Sequence, residues 1–159
     1  MNTVLRYPGS KWRIADQLVS NIPEHKSYLE PYFGSGAVLF NKPPSPIETI
    51  NDLDDDVINL FQCIRDHSQQ LAAMIAAIPY SRKVYDSQFS IVSKDPVDKA
   101  CAFLIKCWQG YGFKTSGIKT GWKRDKTGRE RAYNLSNWYH LPEWIEEIAE
   151  RLRNIQIEH

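Results

Sequence analysis

Tyr28-Leu29-Glu30-Pro31-Tyr32-Phe33-Gly34-Ser35-Gly36 is the stretch on which the fold turns. A short apolar run ends in an acid and a proline, followed by two aromatic residues and then Gly-x-Gly before Ala37-Val38-Leu39-Phe40. The pattern is that of a strand running into a helix through a turn that lets a ligand approach the backbone. We expect a strand over Ser27–Glu30 and a helix over Gly34–Lys42, whose first N–H groups would face the ligand. The Glu30 carboxylate then lies at the carboxyl edge of the strand, where it suits an ammonium group. A bare turn that needs only positive φ would show the same Gly-x-Gly, so the context carries the argument.

That context lies on both sides. Ile47-Glu48-Thr49-Ile50-Asn51 is rich in β-branched residues and reads as a second strand. Asp52 follows at its end, 18 residues past Gly34, close to the spacing of about 20 at which nucleotide folds place a ribose-binding acid. Capping the next helix is the alternative role for Asp52. Asp54-Asp55-Asp56 supplies negative charge to the start of that helix, which the macrodipole favours. Upstream, Arg6-Tyr7-Pro8-Gly9-Ser10-Lys11 joins an aromatic residue, a tight turn and a lysine. It is either a turn with Ser10 as a cap, or a ligand contact in which Tyr7 covers a purine face and Lys11 neutralises a carboxylate.

The rest of the chain reads as helices with one irregular interval. Ala15, Leu18, Val19 and Ile22 share a helical face ahead of Pro23, and Pro43-Pro44-Ser45-Pro46 is a stiff connector. Val57 to Ile64 and Ser68 to Ile78 read as two helices. Asp95-Pro96 reads as an N-cap and first helical residue leading to Trp108. Gly110 to Asn137 breaks into glycines, aromatics and bases. Pro142 is expected to open a last helix, and Asn154 to Glu158 alternates like a strand. The order α, βα, βα, helical insertion, β places the chain in the α/β class. It divides into a cofactor-binding part over residues 1–60, to which residues 150–159 return a strand, and a helical insertion over 61–149.

Composition narrows the class further. With 42% hydrophobic and 25% charged residues the 159-residue chain is an ordinary globular domain. No apolar run nears the roughly 20 residues that span a bilayer. Met1-Asn2-Thr3-Val4 lacks a signal peptide's apolar core, so a cytoplasmic location without a membrane partner is expected. Cys63, Cys101 and Cys107 have no metal-ligand spacing and read as packed thiols. Charge is uneven: Lys114, Lys119, Lys123, Arg124, Lys126, Arg129 and Arg131 against Asp125 and Glu130 give the 114–131 segment a net +5 in a chain of net +1. Glycines and Trp122 interrupt these bases, as in a loop that follows a phosphate backbone; a merely solvated loop is the alternative.

Taken together, Arg-Tyr-Pro-Gly-Ser-Lys, Glu-Pro-Tyr-Phe-Gly-Ser-Gly-Ala-Val and Asn-Asp-Leu-Asp-x-Asp-Val-Ile-Asn-Leu resemble the Dam-type DNA adenine methyltransferases, in particular their phage and restriction-modification members. The resemblance covers roughly the first 60 residues and continues loosely through Trp108-Gln109-Gly110-Tyr111-Gly112-Phe113. Ser10 departs from it, standing where a second glycine is usual. It implies a Rossmann-like S-adenosylmethionine-dependent fold with a helical DNA-recognition insertion and double-stranded DNA as partner. Tyr7, Lys11, Glu30, Phe33, Gly34, Ser35, Gly36 and Asp52 would meet the cofactor, with Asp52 on the ribose and the Glu30–Gly36 turn at the methionine end.

The resemblance also implies an Asp-Pro-Pro-Tyr tetrad, in which an acid and a backbone carbonyl hold the adenine amino group while an aromatic stacks on the flipped base. Asp95-Pro96-Val97-Asp98 lacks the second proline and the aromatic, and Lys42-Pro43-Pro44-Ser45 lacks the acid. The expectation is therefore the N-terminal portion of such an enzyme, truncated or completed by another chain and inactive alone; separately, a sheet of about three strands would leave an uncovered edge, so self-association is expected. A catalytically silent module that binds DNA and cofactor is the alternative.

Overall fold

A computed structural model describes residues 1–90, 92–112, 117–123 and 136–159. Three short strands, β1 (Ser27–Glu30), β2 (Ile47–Asn51) and β3 (Gln156–Glu158), form a parallel sheet in the order β1-β2-β3. The register sets Glu30 beside Ile50 and Ile50 beside Ile157. Both expected strands of the N-terminal part are therefore present with their expected bounds. The mixed helix and parallel-strand architecture is that of an α/β protein.

Among the described residues five α-helices accompany the sheet: α1 (Ala15–Ser20), α2 (Asp55–Ala77), α3 (Arg82–Ser87), α4 (Pro96–Gln109) and α5 (Ser136–Leu152). A 3₁₀ turn, Trp12–Ile14, leads into α1. Asp54 caps α2 by accepting from the Asp56 N–H at 3.0 Å. Asp95 caps α4 by accepting from Val97 and Asp98, with Pro96 in the first turn. These are the short polar side chains and the proline that helix starts favour. The core lies where α2, α4 and α5 meet under β2. Phe61 and Ile64 of α2, Leu104 of α4, and Leu141, Ile145, Ile148 and Leu152 of α5 are all fully buried. The α5 set recurs at the three- and four-residue spacing that puts apolar side chains on one face.

Two expectations are corrected, and two further features of the helices are notable. No helix forms over Gly34–Lys42: the segment is a compact turn closed by Phe40 N–H to Gly36 O and Lys42 N–H to Val38 O. The Leu39 N–H, which a helix would bond to its own backbone, goes instead to the Glu30 carboxylate at 3.1 Å. The break expected between the helix of Val57 to Ile64 and the one from Ser68 is present: α2 is two helical runs joined across a kink at His67 (φ −136°, ψ 29°), beside Ser68. The last helix starts at Ser136 and carries Pro142 inside it, because burial of Trp138 and Leu141 extends it backward past the proline. Finally, α3, six residues long, falls in a stretch with no clear apolar period. Within it Tyr85 is buried, and its hydroxyl donates to the Thr120 carbonyl.

All three cysteines are free and buried. Burial pushes the Cys63 thiol up to about 11 and Cys101 to about 12, and Cys107 well above its ordinary value. They are packed thiols without nucleophilic character. Among the described residues no helix is long and apolar enough to cross a membrane.

Candidate cofactor and DNA-binding site

The three N-terminal motifs meet in one cleft of about 420 Å³. Tyr7 to Lys11 form one wall, Glu30 and the turn through Val38 the floor, and Asp52 the far side. Its size lies in the range of small-ligand sites. Of the eight residues expected to meet the cofactor, seven line it: Tyr7, Lys11, Glu30, Phe33, Gly34, Ser35 and Asp52. Gly36 is not among the lining residues, and the side on which it would carry a Cβ faces Phe33 and Phe40.

The walls are fastened by side chains that reach across the chain. The Gly34 N–H donates to Asp52 Oδ2 at 2.7 Å, and the Asp54 N–H donates to Asp52 Oδ1 at 3.0 Å. The Tyr7 hydroxyl donates to Asp54 Oδ2 at 2.7 Å, and burial together with this carboxylate raises its pKa, keeping the phenol neutral. Ser10 and Ser35 hydroxyls lie 2.8 Å apart. The Lys11 ammonium donates to the Gly9 carbonyl from an exposed position at the rim.

Two of these links lay outside the sequence reading. Asp54, read only as a charge at a helix start, is also the acceptor for Tyr7. Ser10, read as a departure from the usual glycine, reaches the glycine turn. Both depend on contacts between distant segments, and nothing in local spacing signals them.

The two glycines do different work. Gly34 has φ +51°, and a Cβ there would meet the Tyr7 ring at an ordinary 3.5 Å. Gly36 has φ +68°, and a Cβ there would lie 2.3 Å from Phe40 and 2.5 Å from Phe33. Gly36 is thus required by core packing. Phe33 turns the same way: it is buried against Phe61 with ring centroids 4.7 Å apart, and its N–H bonds the Asn51 carbonyl.

Glu30 is the chemically distinctive residue. Its Oε2 accepts from the Tyr28 hydroxyl at 3.1 Å as well as from Leu39. Burial raises its pKa to about 7, against the lowering effect of those bonds and of Lys42. A protonatable carboxyl at one end of the cleft and the Asp52 carboxylate at the other form a donor and acceptor set for a cationic, hydroxyl-bearing ligand.

Residues 7–159 match the family described as D12 class N6 adenine-specific DNA methyltransferase. The chain belongs to this family. It is also similar to a DNA N-6-adenine-methyltransferase of Escherichia phage P1, with 26% identity over 126 residues. That match takes in 68% of this chain and 15% of the phage protein, so the chain spans a small part of that relative's length. The family match runs beyond the three N-terminal motifs through α2, α4 and α5 to β3.

Of the seven bases expected to contact DNA in this D12-class methyltransferase chain, Lys114, Arg124, Lys126, Arg129 and Arg131 lie outside the described residues. Lys119 is half exposed and pairs with Asp86 at 2.8 Å. Lys123 is buried. Its backbone bonds the Gln109 carbonyl and accepts from the Tyr80 hydroxyl, and Trp122 beside it bridges to Gly110. The end of α4 and residues 121–123 thus form one anchored unit, in which Lys123 is held by packing that its charge alone did not signal.

Proposed function

We propose that this chain holds S-adenosylmethionine in the Tyr7–Glu30–Asp52 cleft and binds double-stranded DNA through its helical part and the 114–131 segment, as the cofactor-binding portion of an adenine-specific DNA methyltransferase of Rossmann-like fold. The observation that carries this reading is the convergence of the three N-terminal motifs on one cleft. The residues there fit the cofactor's groups. An ionised carboxylate has about four acceptor positions, and Asp52 spends two on backbone N–H groups, leaving one on each oxygen for a ribose diol. Glu30 has Oε1 for the ammonium group, and Lys11 stands at the rim for the carboxylate. The cofactor supplies the methyl group. The chain's own residues bind it, orient it and keep its ribose end fixed.

Transfer to adenine further requires groups that hold the exocyclic amino group of an extrahelical base. Asp-Pro-Pro-Tyr does not occur in the 159 residues. We infer that the chain alone binds cofactor and DNA without turning over, and that a complementing chain or further sequence supplies the tetrad. The test pairs two measurements on the purified chain. Calorimetric titration with S-adenosylmethionine should give saturable binding that Asp52→Ala weakens. A tritiated-methyl transfer assay on unmodified DNA should give none. Robust turnover would overturn the inactivity, and absent binding would overturn the cofactor assignment.

A further inference from the structure

His25 and Ser45 each stand two residues before the start of a strand, and the register sets those starts, Ser27 of β1 and Ile47 of β2, side by side. The Ile47 N–H bonds the Lys26 carbonyl at 3.1 Å, which ties the two approaches together. Pro43, Pro44 and Pro46 fix their own φ at about −65° and stiffen the backbone around Ser45. The two side chains therefore meet: Ser45 Oγ lies 2.8 Å from His25 Nε2. Both line a cleft of about 770 Å³ at the amino ends of β1 and β2, the opposite end of the sheet from Glu30 and Asp52. Val19, Ile22, Pro23, Pro43 and Pro44 give it apolar walls.

The neighbours of this pair decide where its protons lie. His25 Nδ1 is 2.7 Å from the Pro23 carbonyl, which can only accept, so Nδ1 carries the hydrogen and the neutral ring presents Nε2 as an acceptor. The Lys42 ammonium, which can only donate, bonds Ser45 Oγ at 2.7 Å, so the Ser45 hydrogen is directed at Nε2. Lys42 is itself fixed by Glu48 at 2.6 Å. A hydroxyl aimed at an imidazole that a third group orients, with a cation on the oxygen, is the arrangement of an activated nucleophile. Bracing of the connector is already supplied by Lys42, which also bonds the Pro43 carbonyl, and it needs no imidazole.

We propose that Ser45 and His25 form an acyl-accepting site for activated carboxylic esters with a small apolar acyl group. Ser45 Oγ bonds the acyl carbon as its proton passes to His25 Nε2. The ester C–O bond breaks, and the departing alcohol takes the proton from Nε2. Water then attacks the acyl-serine and gives a proton to Nε2. The bond from the acyl carbon to Oγ breaks, Oγ recovers that proton, and the carboxylic acid leaves. The balance is ester plus water to alcohol plus acid. Lys42 offsets the negative charge that grows on Oγ. The Ser45 N–H is committed to Glu48 Oε1 at 3.0 Å and does not support the acyl oxygen, so the substrate must carry a good leaving group. This site is independent of the cofactor reading, which concerns the other end of the sheet.

The test is incubation of the full 159-residue chain with 4-nitrophenyl acetate. Release of 4-nitrophenolate is followed by absorbance, and the acetyl group is located by peptide mass mapping. An initial burst with the acetyl group on Ser45 is expected, and Ser45→Ala should abolish it. His25→Gln keeps an acceptor for the hydroxyl but no base, so a chain shown folded by its thermal melt should label Ser45 about a hundredfold more slowly or worse. Mapping on the wild type needs no variant, so it decides the matter even where Ser45→Ala does not fold. Acetyl groups on lysines or the N-terminus with none on Ser45 would overturn the proposal. So would a folded His25→Gln chain that labels Ser45 at the wild-type rate. Lower melting temperatures in both variants beside a wild type that shows no burst would reduce the pair to a brace and overturn it equally.

Discussion

Asp52 and Gly34, 18 residues apart, are joined by a 2.7 Å hydrogen bond from the glycine N–H to Oδ2 of the aspartate. The second oxygen accepts from Asp54, so one carboxylate fixes the glycine turn to the start of α2. Asp52→Ala strands two backbone donors, at a cost of about 1–3 kcal/mol for each one left unsatisfied. Its melting temperature should fall. Its S-adenosylmethionine affinity, measured by calorimetry where wild type and variant are both fully folded, should fall further than that instability explains. Equal affinity would reduce Asp52 to a brace.

Glu30 should make stability fall with pH in a defined window. Its ordinary value is 4.5 and its folded value about 7. Between these the folded chain keeps a proton that the unfolded chain has released, so the contribution is full below 4.5, declines up to 7 and is flat above. Glu30→Gln, which retains an acceptor for Leu39, should remove that slope. Thermal melts from pH 4.5 to 8 for both proteins measure it. A ligand ammonium beside Glu30 would favour the ionised form, so binding near pH 7 should also release a proton, detectable as buffer-dependent heat in calorimetry.

Gly36→Ala and Gly34→Ala should separate packing from ligand approach. At Gly36 the added Cβ enters the Phe33 and Phe40 rings at positive φ, which combines backbone strain with overpacking. Each costs about 1–3 kcal/mol, so the urea midpoint should drop strongly. Gly34→Ala carries the backbone cost with only an ordinary contact to Tyr7. It should be milder in urea yet weaken cofactor binding, because its Cβ stands in the cleft lining. Identical urea midpoints would contradict the division of labour between the two glycines.

What the sequence revealed and what it concealed follow the range of the forces involved. Strands β1 and β2 and the Asp54 and Asp95 caps are local matters of side-chain branching and hydrogen bonding within a few residues, and they were legible. So was the set of residues around the first cleft, since each motif carries its own turn. The helix expected over Gly34–Lys42 failed because Glu30, nine residues before Leu39, competes for a helical donor. Pro142 misled because burial of Trp138 outweighs a local helix-start signal. Lys123 was read from charge alone, whereas its environment is set by Gln109 and Tyr80.

Arg151 on α5 forms a two-pronged pair with Glu48 on β2, with contacts of 2.5 and 2.9 Å, and Lys42 meets the same carboxylate at 2.6 Å. Burial by itself would raise the Glu48 pKa, yet the bonds from Arg151 and Lys42 hold it below the usual value. Arg151→Met should cost about 3–5 kcal/mol, the range for a buried charge that loses its partner, moderated by Lys42. Glu48→Gln with Arg151→Met should recover part of that loss. A double-mutant cycle by urea denaturation checks this, and strictly additive losses would show that the pair is not coupled.

Charge reversal at Lys119 and at Lys123 should have different consequences. Lys119 is half exposed, and its pair with Asp86 is of the surface kind worth at most about 1 kcal/mol. Lys119→Glu should therefore leave the melting temperature nearly unchanged. If Lys119 leaves Asp86 for a phosphate, the variant should weaken duplex binding and flatten the log-affinity against log-salt slope by about 0.9. Lys123 is buried beside Trp122, so Lys123→Glu places an anion where a cation is already enclosed and should lower the melting temperature sharply before any DNA contact is in question. Duplex titrations at several salt concentrations, paired with thermal melts, distinguish the two. An unchanged salt slope for Lys119→Glu would assign that lysine to Asp86 alone, and a Lys123→Glu chain as stable as wild type would show that its burial carries no structural weight.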